Sequence, residues 1–275
     1  MPIPPDFQFS QNNLQDYVDC PRRFQLRYLL RQRWPALQSQ PVLEQEKHMK
    51  QGDRFHHMVY QSQCGIPAEA LTCANTDLAL ELWWHNYLTY PLQNLPQQRY
   101  PEFTLSAPFA GHRLVAKYDL LAVDPGRQIV IVDWKTSRKR PTRSYLAQRL
   151  QTRLYPLMAV LAGMRMTGGL DVLPEQVTMI YWFASSPTDP EVFHYDQEQF
   201  EADYQEVYRL ITQIASTMEK TFFLTTMERT CTYCTYRSMC GRGNAAGDWN
   251  SWDEDDIDTE QPDTFDFNSI GEVRF

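Results

Sequence analysis

The chain has 275 residues, 43% hydrophobic, 13% aromatic and 22% charged, enough for the core of one large domain or two small ones. No apolar run reaches the roughly 18 residues that a membrane span needs, which excludes an integral membrane protein. The net charge of −8 argues at first against a nucleic-acid partner, but it is unevenly spread.

In chain order, residues 10–33 read as a helix opened by Ser10 as N-cap, with Leu14, Tyr17 and Val18 on one face. Pro21 interrupts it just after Cys20 and predicts a bend or a second helix start. Helices follow over 43–63 and 76–90, the latter with an apolar period through Leu78, Leu80, Leu82, Trp83 and Tyr87. The period then changes to two. Residues 112–123 and 128–135 read as the strands of a hairpin, joined by the turn residues Asp124-Pro125-Gly126-Arg127. A helix over 143–162, a buried strand over 177–184 and a long helix over 197–219 complete the pattern, and no internal repeat shows. The expected architecture is one α/β domain over 1–243, a small mixed sheet flanked by helices. Residues 244–275 are acidic and core-poor and read as a disordered tail.

That tail holds ten acids and one base, leaving 25 basic against 24 acidic side chains in 1–243. Two stretches carry bases and no acid. Residues 20–43 contain Arg22, Arg23, Arg27, Arg31 and Arg33, and residues 134–170 contain Lys135, Arg138, Lys139, Arg140, Arg143, Arg149, Arg153 and Arg165. Such clustering is an electrostatic footprint for phosphates, or else a solvated basic face. The tail, punctuated by Trp249, Trp252, Phe265, Phe267 and Phe275, reads as a solubilising end. The sharper alternative is a partner-binding segment, or a mimic of DNA that competes for the basic groove.

The residues with the most chemical content lie on the hairpin. Asp133 and Lys135 are two apart on one strand and share a face. Asp119, on the partner strand, can approach Asp133 across the ladder. Two carboxylates on neighbouring strands offer hard oxygen ligands to Mg²⁺ or Mn²⁺, and an adjacent ammonium can stabilise charge on a scissile phosphate. An acid that ends the run Ile129-Val130-Ile131-Val132 is costly unless it is paired or metal-bound.

The order Gly52-x3-His56, Asp119, Asp133-Trp134-Lys135-Thr136 and Gln151-x3-Tyr155 resembles the PD-(D/E)XK nucleases of the RecB type. Ser10-x3-Leu14-x2-Tyr17-x2-Cys20-Pro21-Arg22-Arg23-Phe24 resembles the opening of that group's iron–sulfur branch, which includes the AddB nuclease domain and CRISPR-associated RecB-like exonucleases. The resemblance spans roughly 9–243 and implies a restriction-endonuclease-like core. It implies metal ligation by His56, Asp119, Asp133 and the Trp134 carbonyl, with Lys135 as catalytic lysine. Gln151 and Tyr155 would steady the lysine or the DNA. From the residues alone, Gln151 and Tyr155 fall one helical turn apart on a helix that also bears Arg149 and Arg153. His57 leaves the histidine register open, and the Gly52 spacing favours His56. Pro156 removes a helix hydrogen bond and is expected to kink the helix beside Tyr155.

Cys231-x2-Cys234-x5-Cys240 is a compact trio, with Cys20 far upstream. Thiolate quartets hold [4Fe–4S] clusters or Zn²⁺, and spacing alone does not separate them. The resemblance implies [4Fe–4S], with the cluster joining the N- and C-terminal parts. Cys64 and Cys73 read as bystanders.

The leading expectation is a Mg²⁺- or Mn²⁺-dependent deoxyribonuclease, an exonuclease on single-stranded or frayed ends in DNA repair, recombination or CRISPR-type processing. Arg138, Lys139, Arg140, Arg143, Arg149 and Arg153 would grip phosphates. The alternatives are a catalytically vestigial DNA-binding subunit of a helicase–nuclease complex and a zinc-dependent interaction module. The sequence has no nucleotide-binding loop, so any unwinding would come from a helicase partner. Met1-Pro2-Ile3-Pro4-Pro5-Asp6 has neither a basic start nor an apolar stretch, which leads us to expect a cytoplasmic protein with reduced cysteines.

Overall fold

A computed structural model describes residues 3–32, 40–72, 77–217, 222–232 and 234–243. The expected tail at 244–275 lies outside the described residues, as do Arg33 and Cys73. Ser10 caps α1 (Gln11–Asp19) as anticipated: its hydroxyl accepts from the Asn13 N–H, and the Asn13 side chain accepts from the Ser10 N–H. Pro21 starts the short α2 (Pro21–Phe24), where its missing N–H costs nothing, and the chain runs on through a π-helical turn at Gln25–Leu29. Then come α3 (Gln40–Gln63), α4 (Ala68–Thr72) and α5 (Leu78–Thr89). The apolar stripe expected on α5 is narrower than its period suggests. Leu80, Trp83 and Trp84 are buried, whereas Leu78 and Leu82 face solvent.

The sheet has six strands: β1 (Gln8–Ser10), β2 (Gln98–Phe109), β3 (His112–Asp124), β4 (Gln128–Lys135), β5 (Val177–Phe183) and β6 (Glu191–His194). Its order is β1-β3-β4-β5-β6, with β2 paired to the other edge of β3. The β3–β4 hairpin forms where the sequence places it. Both strands are apolar on both faces because helices cover both faces. One core joins Leu114, Tyr118, Leu121 and Ile131 to α1, α7 (Leu150–Ala162) and α8 (Gln197–Ser216). The other joins Leu120, Val132, Trp134 and Trp182 to Phe55 of α3 and Trp83 of α5. The helix expected over 143–162 divides at Arg149, whose backbone is extended, into α6 (Arg143–Gln148) and α7.

The strand pairing leaves an opening. β1 pairs with β3 only through Val115, and β4 pairs with it only from Leu120 onward. Beyond Val132, β4 continues against β5 alone, with Asp133 opposite Tyr181 and Lys135 opposite Phe183. Asp119 stands in this fork.

Candidate active site

Three elements converge on the fork. On β4, Asp133 and Lys135 point toward α7, because Val132 and Trp134 take the opposite face and lie in the α3–α5 core. Lys135 Nζ lies 3.0 Å from Asp133 Oδ2 and donates to Gln151 Oε1 at 2.9 Å. Gln151 Nε2 in turn donates to Asp133 Oδ1 at 2.6 Å. Gln151 therefore closes a three-residue ring around the lysine.

The second group forms on the other side of the fork. His56 Nδ1 lies 3.4 Å from Asp119 Oδ2, which also accepts the Trp134 N–H at 2.9 Å. Phe55 and Val59 bury one side of α3 and so aim His56 at β3, whereas His57 is exposed. Gly52 permits this approach: a Cβ there would lie 3.0 Å from Thr136 Oγ1. Glu102 of β2 joins the group, with ligand atoms of His56, Glu102 and Asp119 all within 4.8 Å of one another. Glu102 is not among the residues that the sequence motifs mark. The available signal was an acid inside the run at 98–109, obscured by Pro101 and Pro108.

The electrostatics of the two groups are linked. Burial lifts Asp133 to about 6, and repulsion from Asp119 adds to it against the pull of Lys135. Burial also acts to raise Asp119, but His56, the Trp134 N–H and Lys135 together hold it below the usual carboxylate range. Burial opposes a charge on His56, yet the Asp119, Asp133 and Glu102 carboxylates outweigh it and raise the imidazole to about 9. Among the described residues, Asp133 Oδ2 is buried with no hydrogen-bond partner beyond the Lys135 ammonium. Oxygen and imidazole donors around such an atom fit a hard divalent cation, Mg²⁺ or Mn²⁺.

Two further expected residues, Tyr155 and Trp134, are held by the core around the fork. Tyr155 is buried, its ring 4.8 Å from that of Tyr118, whose hydroxyl donates to the Tyr155 carbonyl at 2.9 Å. That burial leaves little surface for nucleic acid and makes Tyr155 a support for the strand carrying Asp119. The helix continues through Pro156. For Trp134, the described contact to Asp119 is the N–H, while its ring packs in the core.

The basic stretch needs correction as a phosphate grip. Arg140 pairs with Asp189 and Glu191, Arg143 with Glu191, and Arg153 with Asp203. These acids lie some 50 residues downstream, where local charge counting does not reach. Arg138 and Lys139 are exposed just beyond β4, and Arg149 lies 5.5 Å from the Tyr145 ring. In the other acid-free stretch, Arg23 and Arg27 bind Asp16 in the interior.

Cys20 and Cys231 are buried, and Cys234 and Cys240 partly so. Burial pushes the thiols of Cys231, Cys234 and Cys240 up, Cys234 to about 11, and a charge on Cys20 would raise each further. Cys20, from the opposite end of the chain, thus lies near enough to act electrostatically on all three. The Arg22 N–H donates to the Phe223 carbonyl beside them at 3.2 Å. Cys64 is exposed.

No helix among the described residues is long and apolar enough to cross a membrane. No curated protein sequence matches the chain. Among solved structures, SSO0001 is similar at 14% identity and a TM-score of 0.41, covering 85% of each chain. A protein from Eubacterium rectale named "Putative exonuclease" is similar at 12% identity and a TM-score of 0.44, covering 74% of this chain and 79% of its own. The family model described as PD-(D/E)XK nuclease superfamily matches residues 8–241, and the chain belongs to that superfamily.

Proposed function

We propose that this protein is a metal-dependent deoxyribonuclease of the RecB-like branch, acting as an exonuclease on single-stranded or frayed DNA ends. The observation that carries this reading is the fork itself. It sets His56 and Asp119 on one side and the Asp133–Lys135–Gln151 ring on the other, joined by the Trp134 N–H.

His56, Asp119 and Asp133 would hold Mg²⁺ or Mn²⁺. When bound, the cation supplies Lewis acidity and a more acidic water for attack on phosphorus. Lys135 neutralises Asp133 before substrate arrives and is placed to face negative charge growing on the phosphate oxygens. Gln151 holds the ammonium in that direction and keeps Asp133 from rotating. Asp119 is kept ionised by its neighbours, so it is ready to accept a cation at neutral pH. Arg138, Lys139 and Arg149 are the proposed phosphate contacts, sequence-independent and salt-sensitive.

For the four cysteines we propose a [4Fe–4S] cluster that joins the two ends of the domain. The electrostatic influence of Cys20 on Cys231, Cys234 and Cys240 supports a shared centre, and the resemblance in the N-terminal motif favours iron–sulfur over Zn²⁺. A reducing cytoplasm suits such thiols, and a separate helicase would supply any unwinding.

The test is digestion of end-labelled single- and double-stranded DNA with Mg²⁺ or Mn²⁺, wild type beside Asp133→Ala. Mononucleotide release from single strands by the wild type, absent in the variant, is expected. Equal digestion by both proteins would remove the assignment.

A further inference from the structure

We propose that Glu102 is itself a ligand of the divalent cation, completing with His56 and Asp119 a site that the sequence motifs do not contain. The inference rests on the nuclease reading above and concerns the same centre. Ligand atoms of the three side chains lie within 4.8 Å of one another, close to the span that one cation bridges with two bonds of about 2.0–2.6 Å.

The backbone carries a second argument. Glu102 has a φ of +50°, in the left-handed region where glycine or asparagine is at ease and glutamate is not. Its pairing is also interrupted. Pro101 pairs with Leu120 and Phe103 with Tyr118, but Glu102 and Asp119 between them form no pair. Across this point both strands change the face they show to the main core. On β2 the sequence Phe109, Ala107, Leu105, Phe103 gives way to Tyr100, and on β3 Leu114, Ala116, Tyr118 gives way to Leu121 and Val123. The distortion therefore falls on the two acids and turns both carboxylates toward His56. Strain of this kind points to a use for the side chain, since a glycine would relieve it.

Lys117 Nζ lies 2.7 Å from Glu102 Oε2, with the lysine side chain more than half exposed. That ion pair does not account for the backbone, because oppositely charged neighbours pair across regular strands without a positive φ. It is a counter-charge that a divalent cation would displace.

The test is calorimetric titration of the full-length protein with Mn²⁺, together with melting of the metal-free protein. Glu102→Gly and Glu102→Gln should each weaken Mn²⁺ binding roughly tenfold or more. Glu102→Gly should melt at the wild-type temperature or above, because glycine relaxes the turn. Lys117→Met should bind Mn²⁺ within about threefold of wild type, as expected for an exposed pair. Wild-type affinity in Glu102→Gly, or an equal loss in Lys117→Met, would overturn this inference and leave the nuclease reading standing. A wild-type protein that binds no Mn²⁺ would overturn both.

Discussion

Removing Arg153 separates a structural ion pair from a phosphate grip. Arg153 lies on α7 two residues from Gln151, and its Nε is 2.5 Å from Asp203 Oδ1 on α8. The Asp203 side chain is only 9% exposed and that of Arg153 31%. Tyr195 donates a second bond to Asp203 at 3.2 Å. Breaking a buried pair from one side costs about 3–5 kcal/mol. Here the arginine is partly open to water and Tyr195 keeps its bond, so Arg153→Met should cost about 2–3 kcal/mol. In a domain of this size that is a fall of roughly 5–10 °C in Tm. Burial already raises the Asp203 carboxyl against the pull of Arg153, and without Arg153 it rises further. A raised carboxylate binds protons in the folded state, so the loss is full at pH 7 and shrinks as pH falls toward 5. The double variant Arg153→Met, Asp203→Leu should recover most of the stability. Calorimetric melts measure these changes, and fluorescence anisotropy with labelled single-stranded DNA should show unchanged affinity. Unchanged melting with weakened DNA binding in Arg153→Met would refute the structural assignment.

Gln151→Leu leaves the Lys135–Asp133 pair without its brace, and kcat should fall about 10–100-fold while the protein stays folded; single-turnover cleavage measures it. In metal-free protein, His56 is raised to about 9, so its contribution is full below about pH 6.5 and is lost as pH rises through 9. Melts across that range should therefore show falling stability, abolished in His56→Ala. Cation affinity should rise over the same range, because binding displaces the His56 proton. Under the proposed cluster assignment, Cys20→Ala should abolish iron binding and, as loss of a cross-link closing a long loop, cost on the order of 5 kcal/mol of stability; iron analysis and urea titration check this.

What the sequence conveyed and what it hid follow from range. The β3–β4 hairpin was legible because alternation and a turn at Pro125-Gly126 are local signals, and Gly126 does adopt a positive φ. His56, Asp119, Asp133, Lys135 and Gln151 were singled out through their resemblance to the family's ordered motifs, and the fold brings all five to one opening. β2 was not legible because Pro101 and Pro108 argue against a strand interior. It tolerates both as an edge strand, paired only to β3. Glu102 was lost with it. Leu78 and Leu82 fit a helical period, but α5 buries only the side that carries Leu80, Trp83 and Trp84. The basic stretch misled most. Arg140, Arg143 and Arg153 find their acids on β6, α8 and the preceding loop, which only the fold brings near.

The central claim, that a divalent cation binds in the fork and is required for cleavage, is tested most directly by crystals soaked in Mn²⁺ and measured at the manganese edge. The account predicts an anomalous peak bonded to the Asp119 carboxylate beside His56, lost in Asp119→Asn crystals along with DNA cleavage in solution. Cleavage that persists in Asp119→Asn, or a peak bound away from the fork, would contradict it.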